Sequence, residues 1–158
     1  MSADTGTRGA RGRAGRGLAA ALAAAACITA FAAAGADGTE DAGLRARVAA
    51  ADPKAGYAAF DICAACHAYE RDGEAMIGPN LWGIVGRPVA SEPGFDYSDA
   101  LLALGGDWTL ERLDRIIANP NALVPGNTMG FYGIRNERER LDILAYLLTL
   151  QDGTEPAR

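Results

Sequence analysis

Cys63-Ala64-Ala65-Cys66-His67 is the stretch on which the rest of the chain hangs. The spacing C-x-x-C-H is the signature of covalent c-type haem attachment. Two intervening residues let one helical turn present both sulfurs to one edge of a porphyrin, where each thiol adds to a vinyl group. His67 follows directly, so its imidazole comes up beneath the iron. Other uses of these five residues lack their remaining parts. A structural zinc site needs two more soft ligands, whereas the chain holds three cysteines and one histidine, and the third cysteine is Cys27. A thioredoxin-like redox pair wants a preceding strand in a βαβ setting, and Gly56-Tyr57-Ala58-Ala59-Phe60 reads as helix.

A haem iron that transfers electrons is usually six-coordinate, held by Met/His or His/His. A single histidine closes the second option within a monomer. Of the three methionines, Met1 lies in a segment expected to be removed. Met76 stands only nine residues past His67, just before Gly78-Pro79, and should stay on the histidine side of the ring. Met129 lies far downstream in Pro125-Gly126-Asn127-Thr128-Met129-Gly130-Phe131, on a loop long enough to pass over the opposite face. Most methionines are ordinary core side chains. Beside a haem motif with no rival donor, His67 and Met129 are the expected axial pair.

With these motifs the chain resembles the class I c-type cytochromes, the soluble mono-haem electron carriers of bacteria and mitochondria. The resemblance covers residues 55 to about 150 and rests on an ordered set. After the haem motif come Gly78-Pro79-Asn80-Leu81-Trp82-Gly83, Gly86-Arg87, Gly94-Phe95-Asp96-Tyr97-Ser98, Trp108, Asn119-Pro120 and Pro125-Gly126-Asn127-Thr128-Met129. It implies roles. Pro79 offers its carbonyl to His67 Nδ1–H, fixing the tautomer that leaves Nε2 for iron. Leu81 and Phe131 wall the haem. Tyr97 and Trp108 hydrogen-bond a propionate, which needs donors once buried, with Arg87 placing positive charge nearby. Asn127 joins the cofactor-binding set. Gly56 lets the first helix approach the last, beside Phe60 and Tyr146. The implied fold is all-α and cytochrome c-like, about four to five helices and long loops wrapped around one covalent haem c.

Three departures from the mitochondrial pattern matter. Counting from Trp108, a tyrosine near the ligand sulfur in animal mitochondrial cytochrome c falls at Ile116. An asparagine near the buried haem edge falls at Leu101. Both changes make the pocket less polar and disfavour the more highly charged ferric iron, so they should not lower the midpoint potential. The third concerns docking. The mitochondrial protein rings its exposed haem edge with lysines, whereas Lys54 is the only lysine of this chain, and Asn121, Ala122 and Thr128 stand where lysines are usual.

The chain has 158 residues and a formal charge of −5, a length that suits one domain. Residues 1–36 carry Arg8, Arg11, Arg13 and Arg16, then an alanine-rich run from Leu18 to Ala34, then Ala34-Gly35-Ala36. This is the three-part build of a secretory signal peptide, and its removal would take away Cys27. The same run is at the short edge for a retained membrane anchor. Ala24-Ala25-Ala26-Cys27 lacks the large apolar residue usual before a lipidated cysteine. Cleavage after Ala36 leaves eleven basic and nineteen acidic residues, a formal −8, which repels nucleic acid and anionic membrane.

Residues 37–51 read as a linker, and residues 52–158 as the haem domain. Asp52-Pro53 suits an N-cap with proline in the first helical position, opening a helix to about Ala65. Residues 68–96 are loop-rich, punctuated by glycine and proline. A short helix is expected near Ser98–Leu104, another over Thr109–Ala118 ending at Asn119-Pro120. Asn136 and Glu139 resemble a capping box, and Leu141, Leu144, Ala145 and Leu148 give the last helix one apolar face, with Gly153 as its stop.

These readings point to a periplasmic, monomeric one-electron carrier and not to an enzyme. The expected donor is a quinol-oxidising complex or a dehydrogenase, the acceptor a terminal oxidase or photosynthetic reaction centre. Electrons are expected to leave by a haem edge near Cys66 and Phe131. A module anchored to the periplasmic face of the inner membrane through residues 18–34, serving one fixed complex, is the alternative. An open-site haem enzyme or gas-binding protein requires Met129 to be off the iron, and no second histidine supplies a distal acid or base.

Overall fold

Asp52 starts the helix that delivers the two thiols: its side chain accepts from Lys54 N at 2.9 Å, and Pro53 takes the first helical position, where no N–H is needed. In the computed structural model, which describes residues 36–154, seven helices run in the order α1 (Ala36–Ala49), α2 (Pro53–Ala59), α3 (Asp61–Ala64), α4 (Asp99–Leu104), α5 (Leu110–Ala118), α6 (Pro120–Leu123) and α7 (Glu137–Leu147). Apart from an isolated bridge between Pro88 and Asp107, no β pairing occurs among the described residues. The expected all-α fold is therefore observed, with more helices than the four to five anticipated, because several are a single turn.

The caps behave as their chemistry requires. Ser98, Thr109 and Asn136 each accept a hydrogen bond from the first turn of α4, α5 and α7. Asn119 does the same for α6 through Ala122 N at 3.2 Å. Asn119-Pro120 thus ends one helix and begins another, a one-turn helix that the sequence pattern did not announce. The single helix expected from Pro53 to Ala65 is broken at Phe60 into α2 and α3.

Residues 37–51, expected as a linker, instead lie largely in α1. Leu44 and Val48, one helical turn apart, are buried among the residues of the core, and α1 rests on α5 and α7. Arg47 pairs with Glu137 at the start of α7. The signal peptide or anchor expected over residues 1–36, with Cys27, falls outside the described residues except for Ala36. No helix among the described residues is long and apolar enough to cross a membrane.

The core is built around α7. Every residue from Leu141 to Leu147 is buried, so the helix has no exposed face in its second half. Helices α1, α2 and α5 cover it from different sides. The tightest approach is at Gly56 of α2. A Cβ there would overlap the backbone carbonyl of Asp142 and come within 3.0 Å of Ile143 N. Phe60 and Tyr146 meet beside it with ring centroids 5.1 Å apart, and Tyr57 and Tyr146 at 5.4 Å, separations at which tilted aromatic pairs attract.

Asp142 adds a polar tie at this crossing. It is a buried carboxylate of α7 that accepts from Asp52 N at 2.8 Å and from Arg138 Nε at 3.1 Å. The Arg138 side chain is 68% exposed, so its ion pair contributes little. The backbone N–H of Asp52 bonds to no other group among the described residues. Asp142→Ala is expected to cost about 2 kcal/mol by leaving that donor without its partner. Arg138→Ala should cost under ~1 kcal/mol. Denaturant unfolding of both variants checks the ordering.

Candidate haem-binding site

The chain closes over an apolar cavity of about 630 Å³, inside the ~300–1,000 Å³ range of small-molecule and cofactor pockets. Cys63 and Cys66 open on it from α3 and the turn that follows. Cys63 N–H bonds to Phe60 O at 2.8 Å and His67 N–H to Cys63 O at 3.0 Å, so one helical turn carries the three residues. Burial, and then the neighbouring Cys66, push the Cys63 thiol up to about 11.

His67 Nδ1 lies 2.7 Å from Pro79 O. A carbonyl only accepts, so Nδ1 carries the proton and Nε2 keeps its lone pair. Burial lowers the pKa of the imidazole, against the raising effect of the Pro79 bond and with the help of Arg87. The ring is thus neutral, as a metal ligand must be. Gly78 leaves the space the ring needs, since a Cβ there would sit 2.6 Å from Nδ1.

The loop carrying Pro79 is stitched in place rather than slack. Gly78 N–H bonds to Cys66 O and Leu81 N–H to Ala68 O, both at 2.8 Å. Asn80, quoted in the sequence motif without a role, is the organiser. It is buried, donates to Glu70 O at 2.8 Å and Gly73 O at 2.6 Å, and accepts from Trp82 N at 2.8 Å. Arg87 donates to Asn80 O at 2.5 Å and Trp82 O at 3.2 Å, and pairs with Glu92 at 3.5 Å. Arg87 lines the cavity, but its guanidinium largely holds the loop.

The structure brings the other expected residues to the same cavity. Leu81, Phe131, Tyr97, Trp108, Asn127 and Met129 all line it. The Tyr97 hydroxyl accepts from Glu92 N at 3.1 Å and keeps its own proton to donate. Its pKa is raised, first by burial. Trp108 Nε1–H has no hydrogen-bond partner among the described residues. Two unspent donors in an apolar pocket suit a ligand bearing carboxylates. Asn127 Oδ1 accepts from Met129 N at 2.9 Å, while its amide donates to Asn121 Oδ1 at 3.0 Å and Val124 O at 2.8 Å. Asn127 therefore shapes the Met129 loop. Met76, 55% exposed, is not part of the lining. Ile116 and Leu101 are, so both departures from the mitochondrial pattern bear on the pocket itself.

Two thiols, a neutral imidazole and two free donors around one apolar cavity define a protein that holds a covalent tetrapyrrole. No family model matches the chain. Among curated proteins it is 43% identical over 102 residues to a cytochrome c homolog of Bradyrhizobium diazoefficiens, a match spanning 64% of this chain and 55% of that one. The chain thus spans about half the length of that relative. It is 42% identical over 101 residues to cytochrome c2 of Rhodopila globiformis, covering 63% of this chain and 94% of the relative. Among solved structures, cytochrome cH from Methylobacterium extorquens matches with a TM-score of 0.57 and 40% identity, over 62% of this chain and 98% of the other. The chain belongs to the class I c-type cytochromes. Its cofactor is haem c, and Cys63 and Cys66 stand at the spacing that attaches it.

Proposed function

We propose that the protein is a one-electron carrier with His67 and Met129 as axial ligands, shuttling between redox complexes outside the cytoplasmic membrane. The observation that carries this reading is the convergence of Cys63, Cys66, His67 and Met129 on one cavity. The bound haem supplies an iron(III)/iron(II) couple, and the chain's part is to keep that couple's surroundings alike in both states. His67 is oriented by Pro79 and Met129 by Asn127, so neither ligand has to reorient when charge changes. Filled axial positions leave no place for a substrate, which favours a carrier over a catalyst. Tyr97, Trp108 and Arg87 are the propionate-binding set, and Leu81 and Phe131 the apolar walls. The donor proposed is a quinol-oxidising complex or dehydrogenase, the acceptor a terminal oxidase or reaction centre. The protein is proposed to act as a monomer, and the basic, alanine-rich residues 1–36 support export.

The visible spectrum of the haem-loaded protein tests the ligation. A weak far-red band in the oxidised form, narrow reduced bands and no ready uptake of carbon monoxide are expected. A high-spin spectrum with rapid ligand uptake overturns the proposal. The pocket's polarity gives a second check. Ile116 lines the cavity where a tyrosine is usual in the mitochondrial protein. Ile116→Tyr brings a hydroxyl dipole to the site and should lower the midpoint potential by on the order of tens of millivolts. An unchanged potential in equilibrium titration would remove Ile116 from the account.

A further inference from the structure

Six large apolar side chains are exposed among the described residues; Met129 is the proposed ligand, and of the others Ile62, Ile77 and Tyr132 border the haem cavity. Met76 is next to Ile77 in the chain, and only Leu102 stands apart. Tyr132 is 95% exposed and Ile77 78%. Solvent-exposed apolar groups gathered around one opening mark a contact surface more often than scattered ones do.

The charges say what fits that surface. Seven of the nine arginines among the described residues are held in ion pairs. Arg112 gives its guanidinium to Gly105 O at 2.5 Å. This leaves Lys54, Arg112 and Arg135 as cations without an anionic partner among the described residues, and of these only Arg135 is close in the chain to a residue of the rim, three residues past Tyr132. On the other side, Asp61 adjoins Ile62, and Asp72 and Glu74 precede Ile77. All three are exposed and join no ion pair among the described residues. An acidic partner would meet repulsion here rather than a ring of cations.

We infer that the rim formed by Ile62, Ile77 and Tyr132 is the docking face for a redox protein whose own face is apolar at its centre and cationic at its edge. The inference rests on the carrier function proposed above. Apolar contact around the opening brings the two cofactors close, and the flanking carboxylates steer the approach. The polarity is the reverse of a lysine-ringed carrier.

Stopped-flow oxidation of the reduced, haem-loaded protein tests it with two small oxidants. Tris(phenanthroline)cobalt(III) is cationic with apolar ligand faces, and hexacyanoferrate(III) is anionic. The rate with the cobalt complex should fall as sodium chloride is raised, and that with hexacyanoferrate should rise. Ile62→Lys, Ile77→Lys and Tyr132→Lys should each slow the cobalt complex by about threefold or more and speed hexacyanoferrate. Leu102→Lys makes the same change in net charge away from the opening and should have a smaller effect. Rim variants no different from Leu102→Lys overturn the inference. So does a hexacyanoferrate rate that falls with salt. Sedimentation velocity is run alongside, since a concentration-dependent dimer lost in Tyr132→Lys would make a second copy the occupant and also overturn it. The visible spectrum separates the two levels: altered rates with an intact far-red band belong to the surface, whereas a lost band belongs to the ligation.

Discussion

A Met129→Ala protein is expected to lose the far-red band of its oxidised form, to bind carbon monoxide when reduced, and to show a midpoint potential lower by a few tenths of a volt, within the ~0.8 V range that axial ligands govern. The reasoning follows from the ligation proposed above. His67 is the only histidine in the chain, so nothing of like strength replaces a lost thioether. Thioether sulfur favours ferrous iron, and water taking its place favours ferric iron. Met76→Ala is the matched control. Met76 is outside the cavity lining, and its loss should leave spectrum and potential unchanged. If Met76→Ala removes the band and Met129→Ala keeps it, the ligand has been assigned to the wrong methionine.

Gly56→Val should destabilise the haem-loaded protein by at least ~3 kcal/mol or prevent its folding, among the larger effects open to a single substitution. The new side chain would have to enter the backbone of α7 at Asp142 and Ile143. Main chain cannot swing aside as a flexible side chain does, so the helices must separate. That separation loosens the Phe60–Tyr146 contact and the Asp52–Asp142 bond together. Ala55→Val, at an exposed neighbouring position, carries only the helix-propensity cost of roughly 0.5 kcal/mol. Guanidinium unfolding of the two variants separates the crossing from propensity. A Gly56→Val protein as stable as Ala55→Val would mean that α2 and α7 do not meet as described.

Much of this was legible in the sequence because the residues concerned act locally. Asp52-Pro53, Ser98, Thr109 and Asn136 announce helix starts through bonds to their own first turns. The thiols and His67 share one turn. Their meeting with Met129 was reached by counting donors, which works when a chain has few. The crossing at Gly56, beside Phe60 and Tyr146, came from the family resemblance, and other long-range features escaped. Helix α1 shows only Leu44 and Val48 as apolar contacts amid small and polar residues, and its burial depends on surfaces that α5 and α7 supply. The all-round burial of α7 looked like a single apolar face, because Asp142 reads as polar until its bonds to Asp52 N and Arg138 are known. Asn80 gave no signal of its own. Its importance lies in three backbone groups that only the folded loop brings to it. The exposed rim was half visible as missing lysines, while the apolar residues standing around the opening needed the cavity to be located.

The pairing of α2 with α7 also ties the first part of the haem domain to its last. The helix that leads into the thiols is among the earliest parts of this domain to be synthesised, and the helix it packs against is among the last. Until Glu137–Leu147 has been made, Gly56 has no partner backbone and the cavity lacks Ile143 and Leu147 from its wall. An emerging chain therefore presents Cys63, Cys66 and His67 as an accessible segment well before it can enclose them. Enclosure of the thiols therefore depends on both ends of the domain, because α2 and α7 must meet before Ile143 and Leu147 can complete the wall.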